Sequence, residues 1–182
     1  MNSVDSLSGQ LLIAGPDLWD PNFRRTVVLI ARHDDDGAVG VVLNRTAEAT
    51  VGDAAPALTA LVPPDEPLFL GGPVQPQGAV VLAEFEHPET VDVVAFGDIG
   101  FLVDEDPEAV GGILRARVFA GHAGWGASQL EAELVEGSWI LEPALPQDVF
   151  TSEPDALWST VLRRKGGQYT MLSTMPFDPA LN

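Results

Sequence analysis

The residues best placed by type and spacing to do chemistry lie between Arg117 and Trp139, in RVFAGHAGWGASQLEAELVEGSW. Gly121, Gly124 and Gly126 punctuate this stretch, His122 and Trp125 stand between them, and Gln129 follows. Two kinds of chemistry suit it. A glycine-rich turn that opens a helix offers free N–H groups and a positive dipole end to an anion. A histidine on the same turn serves as a general base when its ring faces a cleft. Against the anion site, the order G-x-x-G-x-G reverses the dinucleotide fingerprint and no Lys-Ser/Thr pair follows. Glu131 and Glu133 would also sit beside any bound anion. The alternative is packing: the glycines bring a helix close to a sheet, Trp125 fills the gap, and His122 packs against it. The missing fingerprints favour packing.

Other polar groups compete for attention. Arg45, next to Asn44, could hold an acidic ligand. With 27 Asp and Glu against nine Lys and Arg, pairing to one of the protein's own carboxylates is the simpler expectation. Gly71-Gly72-Pro73 allows close approach of a ligand or only a tight bend, and the sequence does not separate the two. Asp20 and Asn22, in WDPNF, read as turn chemistry. The run His33-Asp34-Asp35-Asp36-Gly37 tempts a metal reading, but calcium loops space their acids at alternate positions, so a solvated hairpin turn is expected. The candidate ligand-binding set is Asn44, Arg45, Gly71, Gly72, Pro73, His122, Gly124, Trp125, Gly126 and Gln129. No catalytic residue, metal or cofactor is assigned, because no G-x-S-x-G elbow or H-E-x-x-H motif occurs and the three histidines are far apart in the chain.

These groups need elements to hold them. Apolar runs predict strands at 10–14, 26–31 and 38–43, the last two joined at Asp36-Gly37 as a hairpin. Thr50, with Asp53 three residues on, predicts a capped helix to Leu61. Short strands are expected at 68–70, 79–83, 91–95 and 99–103, and a helix opening at Asp106-Pro107 and running to 114. In the central stretch a strand at 117–120 enters a tight corner. Ser128 and Glu131 then form an S-x-x-E capping box, and Gly137 ends the helix. Strand resumes at 138–141, Pro146–Phe150 forms a short turn or helix, and Pro154–Lys165 is amphipathic with Trp158, Val161 and Leu162 inward and Gly166 as its stop. Residues 168–171 are expected as an edge strand, and residues 1–8 as a frayed, disordered tail.

The central segment AGHAGWGASQLEAELVEGSW resembles the signature of the YqgE/AlgH family of bacterial proteins. Matching segments are GQLLIAGPDLWDPNFRRTVVLI, GAVGVVLNR, FLGGPV, LWSTVLRRKGG and the tail MPFDPALN, in the same order from Gly9 to Asn182. Two departures stand out: His122 occupies a position where many relatives carry Tyr, and Thr46 follows Asn44-Arg45 where Pro is usual. The resemblance implies a single α+β domain over residues 9–182, built on a mixed or barrel-like β-sheet with helices packed around it. It implies no established activity. Members carry a transcriptional-regulator label after a link to alginate regulation, and that label does not demonstrate DNA contact.

Composition bounds the function further. The net charge of −18 opposes phosphate backbones and anionic membranes. Arg163-Arg164-Lys165 is the one cationic run, and it reads as a helix C-terminal turn complementing the dipole. The sequence contains no cysteine, so disulfides and thiolate chemistry are excluded and a cytoplasmic setting fits. No secretory signal or membrane span is expected. The sequence thus points to an acidic, cytoplasmic regulatory or interaction protein that binds an unidentified protein or small molecule, with direct nucleic-acid binding disfavoured. The competing expectation is an enzyme with one pocket near His122, Trp125 and Gln129, lined also by Asn44, Arg45 and Gly71 to Val74.

Overall fold

Aliphatic and β-branched runs build a single ten-stranded sheet, open rather than closed into a barrel. The computed structural model describes residues 5–91, 93–102 and 112–177. The strands are β1 (Gln10–Ala14), β2 (Val27–Asp34), β3 (Gly37–Val42), β4 (Thr46–Thr50), β5 (Pro67–Leu70), β6 (Val74–Phe85), β7 (Val93–Phe96), β8 (Ile99–Leu102), β9 (Ile113–Gly126) and β10 (Trp139–Pro143). Their order is β10-β1-β2-β3-β9-β6-β8-β7, with β5 and β4 branching from β9. All pairings are antiparallel except β5 with β9. The helices are α1 (Val51–Ala54), α2 (Gln129–Val135), α3 (Pro146–Val149), α4 (Leu157–Lys165) and α5 (Gln168–Leu172). This is the expected single α+β domain.

Period-two alternation sorts the strand residues onto two faces. Leu11, Ile13, Val27, Leu29, Val41, Phe69, Leu82, Ile99 and Phe119 line the concave interior. Leu12, Val28, Ile30, Val42, Ala123 and Trp125 point the other way and are covered by Leu130 and Trp139. Strands buried on both faces read as unbroken apolar runs, which is the pattern of β1 and β2. The long strand β9 carries the curl. It pairs with β6 along one half and with β3 along the other. At Gly121 (φ +71°) the faces exchange, because Phe119 and Ala123 lie in different clusters.

Helix α4 closes one end of the interior. Leu157, Trp158, Val161 and Leu162 are its buried face, and the Trp158 indole donates to Ala14 O at 2.9 Å. Its basic last turn is held by its own neighbours. Arg164 makes a two-pronged contact with buried Asp148 at 2.8 Å on each arm, and Lys165 donates to Leu141 O at 2.7 Å. Gly166 at φ +78° ends the helix as expected.

Several local expectations fail for identifiable reasons. The helix from Thr50 keeps its capping box with Asp53 but lasts one turn. Pro56 has no N–H to continue the ladder, and a 3-10 turn at Pro56–Leu58 follows. The glycine-rich corner is no corner: β9 runs through Gly121 and Gly124 to Gly126. Ser128 makes no side-chain cap, since it sits at φ 61°, and the Gln129 side-chain oxygen Oε1 instead receives the Gly126 N–H at 3.0 Å. At the far end, Gly137 N–H reaches Leu134 O and Ser138 N–H reaches Glu133 O, a Schellman stop. The expected edge strand at 168–171 is helix α5. Of the helix expected from Asp106, residues 106–111 lie outside the described residues, and Ile113-Leu114 begin β9. Ser6 and Leu7 reach β2: Ser6 Oγ donates to His33 O at 3.2 Å, and Leu7 N–H to His33 Nδ1 at 3.1 Å. No helix among the described residues is long and apolar enough to cross a membrane.

Candidate functional site

The loop between β1 and β2 borders an opening lined largely by polar and charged groups. Asp20 organises it as turn chemistry predicts: its carboxylate accepts the Asn22 N–H at 2.8 Å, and its carbonyl accepts those of Phe23 and Arg24 at 2.9 and 2.7 Å. The chain then turns sharply at Arg25, which sits at φ 57°, a conformation rare for residues with a Cβ. Asn44 holds it there. Its amide nitrogen donates to Arg25 O at 2.9 Å, and its amide oxygen accepts the Val27 N–H at 2.9 Å. The Asn44 side chain is thereby a buried brace beneath the opening rather than a free ligand group.

Three guanidinium groups converge above that brace. Arg45 donates to Pro21 O, Asn22 O and Arg24 O at 2.8, 2.7 and 2.9 Å. Arg24 stacks over Trp19 and Phe177 at 4.5 and 4.4 Å and donates to Phe177 O. Arg25 stacks over Trp158 at 4.2 Å and donates to Met175 O. The expectation that Arg45 pairs with a carboxylate is not met. All ion pairs among the described residues involve other groups, and these three arginines spend protons on neutral carbonyls. A carbonyl accepts a proton but leaves the charge uncompensated. Burial pulls Arg25 below the ordinary guanidinium range, with Arg24 adding to it; burial does the same to Arg45, partly offset by Asp20. A guanidinium still keeps its charge at any ordinary pH.

Arg24, Arg25, Asn44 and Arg45 line a cleft of about 370 Å³ whose far wall is Asp155, Trp158, Ser159 and Phe177. Among the described residues Asp155 is its only carboxylate and forms no ion pair with the three arginines. Arg45 also borders a second opening of about 160 Å³, shared with Asn22, Leu70, Gly72 and Pro73. Gly71 comes close to protein: its N–H donates to Ala120 O at 2.8 Å, and its carbonyl accepts Val42 N–H at 2.8 Å, while Gly72 packs against the β9 backbone at the edge of that opening.

The ten candidate residues therefore do not surround one pocket. Asn44, Arg45, Gly72 and Pro73 border the arginine openings. His122 lines a separate apolar cavity. Trp125, Gly126 and Gln129 pin α2 to the sheet, and Gly124 is exposed on β9. The hub of that packing is Glu133. One of its oxygens accepts both the Trp125 and the Trp139 indole N–H, at 2.9 and 2.8 Å, while the other accepts from Gln129 at 3.0 Å. Trp125 and Trp139 meet edge to face at 5.9 Å. This end of the glycine stretch packs α2 against the sheet.

Glu131 faces the other way and meets the buried His33 ring at 2.6 Å. Because His33 Nδ1 accepts from Leu7, its proton resides on Nε2 and is donated to Glu131. The Glu131 carboxyl is held below the usual range, first by its own backbone N–H and then by His33. A depressed folded-state pKa contributes stability above the unfolded value, roughly 4.3 for Glu, and that contribution disappears as pH falls through the folded value. Glu131→Gln is expected to be less stable than wild type at pH 7, with the difference shrinking below about pH 4. Urea titrations at pH 7 and pH 3 read this directly, and a constant difference at both would refute it.

Sequence reasoning passed over Arg24, Arg25 and Phe177. The available signal was the doublet Arg24-Arg25 in a chain with only nine bases, directly after a Trp-Asp-Pro-Asn turn. What it lacked was Phe177, some 150 residues away, which closes over the doublet.

An open, curled α+β sheet domain with an arginine cleft between the β1–β2 loop and α4 is the class of protein defined here. Its relatives make the assignment specific. The AlgH-like family model matches residues 11–170, and the chain belongs to that family. A UPF0301 protein of Streptomyces avermitilis is 42% identical over 190 residues, covering 100% of this chain and 98% of the relative. One from Chlorobaculum tepidum is 38% identical, covering 96% and 95%. Among solved structures, a Corynebacterium diphtheriae protein superposes with a TM-score of 0.81 at 29% identity, covering 91% of each chain. The solution structure of AlgH from Pseudomonas aeruginosa gives 0.69 at 30% identity, covering 97% of each.

Proposed function

We propose that this protein works by binding, and that its ligand is a small molecule carrying at least two anionic oxygens, held by Arg24, Arg25 and Arg45. The observation that carries this reading is the gathering in one cleft of three guanidinium groups that form no ion pair among the described residues, in a chain with net charge −18. An acidic protein has carboxylates to spare for pairing, so leaving three arginines without one favours an anion from outside. Guanidinium groups suit carboxylate and phosphate oxygens through paired N–H donors. The cleft volume lies within the ~300–1,000 Å³ common for small-molecule sites. Extended duplex DNA is a poor candidate, because the surrounding surplus of negative charge repels a long polyphosphate more than a compact anion. A regulatory role in the cytoplasm follows most simply: the ligand would report a metabolite level, and the cysteine-free sequence suits a reducing compartment.

The test is calorimetry with pyrophosphate and with citrate, on wild type and on Arg24→Gln/Arg25→Gln. Wild type is expected to bind one of them with a dissociation constant below about 1 mM, and the double variant at least tenfold more weakly, the scale of losing charged hydrogen bonds worth ~1.5–3 kcal/mol. Equal affinity in both proteins, or no heat with either anion, would defeat the proposal.

A further inference from the structure

The curled sheet holds a further cavity with an open mouth, of about 310 Å³. Its walls are Ala31, Val39, Val41, Val80, Val93 and Phe101, with Arg32 and His122 as the only polar side chains among the described residues. Ala31, Val41 and Phe101 belong to the interior core, and Val80 and Val93 pack on it, so the cavity is an unfilled extension of that core where β7 approaches β2. Arg32 is already neutralised by Asp34 at 2.6 Å. His122 is different. It is half-buried at the apolar wall, and among the described residues neither ring nitrogen has a hydrogen-bond partner. The face exchange at Gly121 is what turns this imidazole inward while Ala123 and Trp125 point to the opposite cluster.

We infer that this mouth is a binding site for a compact uncharged molecule with an aliphatic or single-ring body and one hydroxyl or carbonyl group that meets His122. An apolar pocket with a single convergent polar group is the usual form of such a site. The size follows from scale: an apolar cavity of ~150 Å³ accepts benzene, so this one takes on the order of ten heavy atoms. An anion is disfavoured, since the one cation on the wall is already paired and the protein's overall field is negative. The site is independent of the arginine cleft, because the two share no lining residue.

Fluorine NMR titration with 4-fluorophenol and with fluorobenzene tests the inference on the full chain. Wild type is expected to bind the phenol saturably and about fivefold more tightly than fluorobenzene, the worth of one hydrogen bond. His122→Phe keeps an aromatic ring but removes the polar nitrogens, and is expected to erase that preference while still binding both. Val39→Trp adds bulk at a rim position that is 39% exposed, and is expected to weaken both probes at least tenfold. Arg24→Gln/Arg25→Gln should bind both probes as wild type does, which separates failure here from failure of the anion cleft. Absence of saturable binding in wild type, or unchanged binding in both His122→Phe and Val39→Trp, overturns the inference.

Discussion

Gly72→Ala is expected to leave little folded protein. Gly72 sits at φ +150°, where a side chain is strained, and a Cβ built there would lie 2.2 Å from His122 O and 2.6 Å from Ala123 N. Those atoms are backbone of β9 and cannot rotate aside. Nor can the segment back away as a unit, because neighbouring Gly71 donates to Ala120 O and accepts from Val42, tying β3 to β9 across this point. Backbone strain of ~1–3 kcal/mol and overpacking of ~1–3 kcal/mol act together, so the loss is about 2–6 kcal/mol. Total stabilities of ~5–15 kcal/mol leave little margin for that. Gly97→Ala is the matched control: its φ is also positive, at +52°, but a Cβ there meets nothing within 4 Å. It is expected to cost about 1 kcal/mol from conformation alone. Urea denaturation of the two variants side by side decides the matter. Equal midpoints would mean that the β9 backbone is not where the structure puts it.

That comparison also shows which parts of the molecule were legible in the sequence. Most strands were, because a run such as Val27–Ala31 is apolar on successive positions and has nowhere to go but a sheet buried on both faces, whereas β4 carries no such run and was not expected. So was the face of α4, where Trp158, Val161 and Leu162 recur at helical spacing. Local signals failed where a tertiary partner outbid them. Gly121, Gly124 and Gly126 suggested a turn, yet β3 and β6 supply backbone partners that keep β9 extended. Ser128 and Glu131 had the spacing of a capping box, but His33 claims Glu131 and Ser128 makes no cap. The anion cleft was half legible. Asn44 and Arg45 could be flagged as polar groups after a strand, whereas their convergence with Arg24 and Arg25 depends on Phe177 and Trp158 from the far end of the chain. No local pattern encodes a contact across that separation.

Asn44→Ala is expected to damage stability and the cleft together, and the link between the two is the reason to make it. Its amide bridges Arg25 O and Val27 N–H at 2.9 Å each, within a side chain that is almost wholly enclosed. Alanine leaves both backbone groups without a partner, at ~1–3 kcal/mol for each unsatisfied buried group, so a loss of about 2–6 kcal/mol is expected in urea denaturation. The same bridge holds Arg25 at φ 57°. Once it is removed, the chain relaxes toward ordinary φ and the Arg25 guanidinium leaves its place over Trp158. Pyrophosphate or citrate affinity should therefore fall about tenfold or more at a temperature where the variant remains folded. Asn44→Asp sharpens the test. A carboxylate still accepts from Val27 but cannot donate to Arg25 O, and it places a negative charge beneath the three arginines. It should recover part of the lost stability and none of the affinity, since an internal anion competes with the external one. A variant that lost stability yet bound anion as wild type does would make Asn44 a support of the β1–β2 loop alone, and would detach the strained geometry of Arg25 from ligand capture.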